Sequence, residues 1–263
     1  MHNVYNMWAF LNIVIMNACN KIDWQVSGEF ELNKSSWYLV IANHQSWLDI
    51  FVLSEFTRRH TATGKYFLKD SLKHVPFLGT ACKTLDMPFM KRYSREFLEK
   101  NPHLKGADIE TTRRSCQSFK ANPTAIINFV EGTRFTAHKK RHNQSNFHNL
   151  LPPKAGGIAF TLAALGEQFD KIINVSLVYP ENPGHIMKDM LAGRLTKVVI
   201  DVELIAITPE LIGDYFDDPH FKKSFQHWLN DVWQQKDYKI AKINASQIAV
   251  IDKNPVDKLS ETR

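Results

Sequence analysis

His44 and Asp49 stand in the stretch "YLVIANHQSWLDIF" (38–51), with few other polar groups between two apolar runs. A histidine that donates from one ring nitrogen to a carboxylate has its tautomer fixed, and its other nitrogen can serve as a general base. On one helix, side chains five residues apart diverge by about 140°. With His44 in a turn and Asp49 in the first turn of a following helix, the two can meet. "SWLD" also fits a helix-capping box, with Ser46 as N-cap and Asp49 three residues on. His44 would then be a partly buried, hydrogen-bonded turn residue. The readings are compatible, because a capping carboxylate can still orient an imidazole. A second His-x4-Asp, His103 and Asp108, lies in a polar Pro/Gly-flanked segment and is read as coincidence. No GxSxG elbow occurs, so a base at His44 has to activate a hydroxyl on the substrate.

The elements that must position this pair follow from the apolar pattern. "SSWYLVIAN" (35–43) and "TAIINFV" (124–130) are continuous apolar runs, expected for strands buried on both faces. A helix is expected over 46–59. "ATGKYFLK" reads as a second strand, "DIETTRRSCQSFKANP" and "KAGGIAFTLAALGEQF" as helices, and "KIINVSLVYP" as a strand. "LTKVVIDVELI" (195–205) alternates and predicts an edge or half-exposed strand. "DPHFKKSFQHWLNDVWQQ" predicts an amphipathic last helix, with a frayed polar tail from about 236. The alternation of strand and helix predicts an α/β fold with a mostly parallel central sheet flanked by helices. The expected division is a lead-in over 1–34, one main domain over 35–235, and the tail over 236–263.

Ligands of open α/β sheets bind at the carboxyl ends of strands. Three expected strands end in polar clusters: Asn43-His44, Lys69-Asp70, and Glu131-Gly132-Thr133-Arg134. Glycine permits a sharp turn and close backbone approach, while Thr133 and Arg134 offer a hydroxyl and a planar cation suited to phosphate. The plainer alternative is a strand-ending turn with Glu131 and Arg134 in a surface ion pair. Lys69 and Arg92 have the plain alternative of solvated surface cations.

At 263 residues and 44% hydrophobic, the chain can bury a substantial core, and its 23% charged fraction does not suggest disorder. A net charge of +6 and a pI near 9.1 favour an anionic partner: nucleic acid, a membrane surface or a phosphorylated metabolite. Three separated cysteines, Cys19, Cys82 and Cys116, form no CxxC pair and predict neither a disulfide framework nor a zinc knuckle. A reducing compartment is expected. The apolar stretch Met7 to Met16 is shorter than the about 20 residues a bilayer crossing needs. An interfacial or packed first helix is expected; the alternative is that a longer hydrophobic segment once preceded Met1. "HKKRHNQSNFH" (138–148) reads as a mobile basic loop suited to lipid headgroups. His138 and His142 have no nearby acidic or cysteine partner to complete a metal site.

In order, "NHQSWLD", "KYFLKDSLKHVPFLG", "DMPFMKRYSRE" and "FVEGTR" resemble the glycerolipid acyltransferases that acylate lysophosphatidate and lysophospholipids. The resemblance spans roughly residues 35 to 180 and is closest to the bacterial branch related to lysophosphatidate and lysocardiolipin acyltransferases. Two departures are visible. Lys91 stands where many relatives have an acid, and "INVSLVYP" lacks the usual early proline. The resemblance implies that His44 and Asp49 are the catalytic pair. It also implies that Arg92, Glu131, Gly132 and Arg134 line the phosphate-bearing acceptor site, with Lys69 near the phosphate. The implied reaction moves an acyl group from acyl-CoA or acyl carrier protein to a lysophospholipid hydroxyl, with no metal or other cofactor. An anionic membrane surface is the expected partner, at the cytoplasmic face of a bacterial inner membrane. Nucleic acid is not expected, since no helix-turn-helix, RNA-binding-sheet or zinc-finger signature accompanies the charge. A basic nucleic-acid-binding protein and a lipid hydrolase using His44 on water remain the rival readings.

Overall fold

The computed structural model describes residues 2–28, 30–85, 87–90, 119 and 121–253. Arg92, His103, Asp108 and most of the helix expected over 108–123 lie outside them. The sheet contains β1 (Asp23–Ser27), β2 (Tyr38–Ala42), β3 (Thr63–Tyr66), β6 (Thr124–Phe129), β7 (Lys171–Val178) and β8 (Lys197–Ala206), in the order β1-β8-β7-β2-β6-β3. Among the described strand pairings of this sheet, only β7–β8 is antiparallel. All five residues of β2 are buried, as its uninterrupted apolar run requires. Leu39 and Ile41 face one hydrophobic layer, while Tyr38, Val40 and Ala42 face the other.

The second layer is covered by α1 (His2–Cys19) and α2 (Leu48–His60), the first by α5 (Ala155–Leu165) and the last helix, α7 (Pro219–Lys253). Helix α1 buries Tyr5, Ala9, Ile13 and Met16 at helical spacing. It is a packed first helix. Among the described residues no helix is long and apolar enough to cross a membrane.

Three expectations change. "ATGKYFLK" is not one strand: β3 ends at Tyr66, and β4 (Leu68–Lys69) pairs with β5 (Phe89–Met90) in a separate ribbon, followed in the chain by α3 (Leu78–Thr84) before β5. The strand over 195–205 is half-exposed along its second half, the second of its two expected readings, while β1 covers its outer side over Lys197–Asp201. The basic segment begins as a short helix, α4 (Ala137–His142), N-capped by Thr136. The frayed tail is instead continuous helix to Lys253, and it buries Lys236, Asp237 and Ile240. The apolar stripe Phe225, Leu229, Trp233 passes through Lys236 to Ile240, so a lysine occupies a core position of α7. Helix α6 (Ile186–Leu191) is the remaining α-helix among the described residues.

Candidate active site

Strands β2, β6 and β3 are neighbours and parallel, so the loops at their carboxyl ends share one edge. The first begins with Asn43, whose buried amide donates to the Leu177 carbonyl and accepts from the Leu177 N–H, both at 2.9 Å. Gln45 adds a third contact, donating to the same carbonyl at 3.0 Å. The turn is thereby bolted to β7, and His44 lies between the two bolts.

His44 is held from four directions. Its N–H donates to Glu131 Oε1 (3.0 Å), its carbonyl accepts from the Phe135 N–H (2.7 Å), and its ring stacks on Phe129 with centroids 4.0 Å apart. Nδ1 lies 2.8 Å from Asp49 Oδ2. A carboxylate only accepts, so the neutral ring carries its proton on Nδ1 and leaves Nε2 as the basic nitrogen. The side chain is 13% exposed against 0% for Asp49: the imidazole is reachable and its partner is not.

Asp49 contacts both the imidazole and the start of α2. Oδ2 also accepts from the N–H groups of Gln45 (2.6 Å) and Ser46 (2.9 Å), and Ser46 Oγ accepts from the Leu48 N–H (3.2 Å). These contacts cap α2, although its first turn starts one residue later than expected, after Trp47. The other carboxylate oxygen accepts from the Tyr179 hydroxyl at 2.7 Å. Burial beside Asp49 raises the Tyr179 pKa well above its ordinary value, so the hydroxyl keeps its proton and remains a donor. Tyr179 was not among the residues anticipated. The fourth strand end, "LVYP", carried it.

The Glu131–Arg134 turn divides by side. Gly132 has φ +66°, and a side chain there would meet Lys154 Cδ at 3.1 Å. Glu131 points inward at 1% exposure, with Oε1 on His44 and Oε2 accepting from the Leu151 N–H (3.1 Å), which is not the surface ion pair with Arg134. Burial pushes its carboxyl up to about 7 against the pull of those two N–H groups and of Lys236. Arg134 points outward, its guanidinium 4.8 Å from the centre of the half-exposed Trp47 ring. Thr133 Oγ1 accepts from Lys139 Nζ at 2.5 Å, and Lys139 also donates to the Arg134 carbonyl at 3.0 Å. Lys139 and Lys154 therefore add two cations that spacing alone did not bring to this turn. Lys69 lies in β4, three residues beyond the end of β3, with its backbone opposite Met90. Among the described residues no group of three His, Cys, Asp or Glu stands together as a metal site, and His138 and His142 merely stack.

Residues 23–179 match the family model described as Acyltransferase. The chain is 35% identical over 154 residues to the 1-acyl-sn-glycerol-3-phosphate acyltransferase of Saccharomyces cerevisiae, covering 58% of this chain and 43% of that protein. It is 24% identical over 215 residues to lysocardiolipin acyltransferase 1 of Gallus gallus, covering 77% and 52%. It thus spans about half the length of these curated relatives. The crystal structure of the 1-acyl-sn-glycerophosphate (LPA) acyltransferase PlsC from Thermotoga maritima superposes with a TM-score of 0.53 at 19% identity, over 91% of this chain and 79% of that one. The likeness establishes the fold as the mostly parallel, helix-flanked sheet that the sequence predicts. Because the matched model covers more than half of its residues, the chain belongs to the acyltransferase family.

Proposed function

We propose that this protein transfers a fatty acyl group from acyl-CoA or acyl carrier protein to the free hydroxyl of lysophosphatidate or a related lysophospholipid. The observation that carries the reading is the His44–Asp49 contact at 2.8 Å, set at a strand-end edge beside outward-facing Arg134 and the Lys139 ammonium on Thr133. In this scheme His44 Nε2 takes the proton of the acceptor hydroxyl as its oxygen attacks the thioester carbon. The C–S bond then breaks, and the imidazolium returns the proton to the departing thiolate, giving an ester and a free thiol. Asp49 stabilises the transient imidazolium. Arg134, Thr133 and Lys139 hold the acceptor phosphate, joined by Lys69 and Arg92, the cations the family resemblance assigns to the acceptor. No step needs a metal or a further cofactor.

The acceptor and donor are both amphiphiles, and α1 leaves Met7, Phe10, Leu11, Val14 and Ile15 exposed on a helix without a charged residue. With a net charge of +6, this suits an anionic membrane surface, on the cytoplasmic face where both thioesters are found.

The test is product formation from defined thioesters and a panel of lysolipids, comparing the wild type with His44→Ala. Acylated lysolipid and free thiol in equal amounts, lost in the variant, support the reading. Free fatty acid in place of acylated acceptor would make the protein a hydrolase. Salt-sensitive binding of duplex DNA without thioester turnover would make it a nucleic-acid-binding protein.

A further inference from the structure

Between β4 and α3 the chain combines exposure with strain. Asp70–His74 forms a 3-10 turn, and Val75, Pro76 and Phe77 then lead into α3. All three are exposed, and Phe77, at 91%, is the most exposed large hydrophobic side chain among the described residues. Its backbone stands at φ 62° and ψ −49°, close to the γ-turn conformation that is rare and strained. Positive φ in a bulky residue persists only where the surroundings impose it. Here they do. The Val75 N–H donates to the Leu72 carbonyl (3.2 Å), and the Val75 and Phe77 carbonyls accept from the N–H groups of Gly79 and Ala81, both at 2.9 Å. Gly79 is buried against the Lys73 carbonyl, which occupies the space a side chain would need. The base of the segment is tied to β3: the Lys65 ammonium donates to the Leu85 carbonyl, and the Tyr66 N–H donates to Met87 Sδ at 3.3 Å.

A chain that strains its backbone to hold a phenyl ring in water gains nothing from that ring by folding. The ring is useful only when something apolar meets it, and its place in the fold says what. The segment leaves the carboxyl end of β3, where the Tyr66 ring stacks at 6.2 Å on Phe129, the ring that also stacks on His44. Leu68, Cys82, Leu85 and Met87 pack into the hydrophobic layer that holds Tyr5 and Trp8 of α1. The tip and the exposed stripe of α1 therefore belong to the same side of the sheet. Residues 69–83 carry Lys69, Lys73 and Lys83 against Asp70, a surplus of positive charge, while the three residues of the tip carry none. Lys73 is paired with Asp70 at 2.8 Å, and Lys83 is exposed. An acidic protein is met best by cations at the tip. A bilayer is met best by apolar groups in front and cations behind them, at the level of the headgroups.

We propose that Val75, Pro76 and Phe77 form a second membrane-docking wedge, which enters an anionic bilayer together with α1 and brings the His44 edge to the lipid acceptor. The proposal rests on the reading of the acceptor as a lysophospholipid. Phe77 and Val75 reach the upper acyl chains, and the lysines behind them stay among the headgroups. The strained, hydrogen-bonded mount keeps the ring extended before contact, so little ordering remains to be done at the surface. Neither apolar contact holds the protein firmly alone, and the two together fix which edge of the sheet faces the lipid.

The test uses the whole chain and vesicles of phosphatidylglycerol and phosphatidylcholine. Phe77→Trp adds one indole to the six of the wild type. Its extra emission should be quenched by phosphatidylcholine brominated in the upper acyl chain, and extra emission left unquenched in vesicle-bound protein overturns the proposal. Phe77→Gly removes the ring and suits the positive φ, so its melting temperature should hold. Its affinity for the vesicles should fall about ten-fold, the low end for withdrawing a phenylalanine from an apolar phase. The apparent KM for a long-chain lysolipid presented in vesicles should rise with it, and turnover of a monodisperse short-chain lysolipid should not change. Wild-type vesicle affinity in Phe77→Gly overturns the wedge. Equal losses on both acceptors overturn it too, by placing Phe77 in the reaction, as does a wild type that ignores vesicles and binds an acidic carrier protein through this tip. If Phe77→Gly does not fold, the quenching of Phe77→Trp decides. The two readings fail separately: quenching in a protein that acylates no lysolipid refutes acyl transfer alone, and acylation beside unquenched Phe77→Trp emission refutes the wedge alone.

Discussion

The turn around His44 and the turn around Arg134 leave neighbouring strands whose last residues, Ala42 and Phe129, are paired directly, yet they are built on opposite terms. In the first, Asp49 is wholly buried and takes four donors, Asn43 makes a two-way amide bridge, and the histidine ring has a stacking partner. In the second, Arg134 is exposed and its guanidinium rests on an exposed indole, with lysines from α4 and from the loop before α5 nearby. In the proposed reaction the first turn moves a proton, which tolerates little error in position and suits over-determined groups. The proposed phosphate recognition at the second turn works through cations that remain hydrated and adjustable. The contrast teaches that substitutions in the first turn should change rate and those in the second should change affinity.

The largest effect is expected at the first turn. His44→Ala should lower kcat by about 10²–10⁴-fold with the fold intact, as removal of a general base does. Circular dichroism and single-turnover acylation check it. Asp49→Asn comes next. The amide oxygen can replace Oδ2, and the amide nitrogen can donate to the Tyr179 oxygen, so the cap survives while the imidazolium loses its counter-charge. A fall in kcat with a nearly unchanged melting temperature is expected. If stability falls and turnover is intact, Asp49 is a cap and nothing more.

Tyr179→Phe tests the contact that sequence did not announce. It deletes one of the four donors to Asp49, a hydrogen bond to a charged group worth about 1.5–3 kcal/mol, so kcat should fall by a factor of about ten while KM holds. In the double variant with Asp49→Asn, the amide nitrogen has lost its acceptor and stability should fall more than additively. Additive behaviour would show that the hydroxyl is not coupled to Asp49.

These positions also mark how far sequence carried. Continuous apolar runs gave away β2, β6 and β7, and the polar residues at their ends located the edge of the site. "DWQVS" escaped because β1, the outer strand, is largely exposed and has no apolar run to announce it. The helical stripe of α7 was legible through Trp233 and then broken by Lys236, since a buried lysine looks like the start of a solvated tail. Lys139 was visible only as one charge in a basic run. The turn of α4 brings it back to Thr133, and such a contact depends on where the helix starts. Glu131 stands at the end of β6 as expected, but which way it faces depends on Leu151, twenty residues on.

At the second turn, Arg134→Lys keeps the charge and loses the planar fork that grips phosphate through two parallel hydrogen bonds. The KM for a phosphorylated lysolipid should rise several-fold, roughly to ten-fold, with kcat and donor saturation less affected. A phosphate-free acceptor should lose little further, and that difference separates recognition from general damage. Equal losses with both acceptors would remove Arg134 from the phosphate site.

The smallest effect on turnover is expected far from both turns, on the outer face of α1. Phe10 and Ile15 are 49% and 61% exposed, so replacing both with serine removes no core contact and should leave the melting temperature and the turnover of a monodisperse, short-chain lysolipid unchanged. Binding to vesicles is where the change should appear. The exposed stripe supplies apolar contact, while Arg58, stacked 5.5 Å over the Phe10 ring, and the net charge of +6 supply attraction to anionic headgroups. A single interfacial helix anchors only marginally, so both contributions are needed and salt should weaken attachment. Sedimentation with anionic vesicles at low and high salt measures this directly. Wild type should pellet at low salt and release at high salt, and the double-serine variant should stay in the supernatant at both. Equal binding of wild type to neutral vesicles at either salt would mean that the helix inserts without help from charge. Failure of the wild type to pellet at all would leave the apolar face of α1 with no role at a membrane.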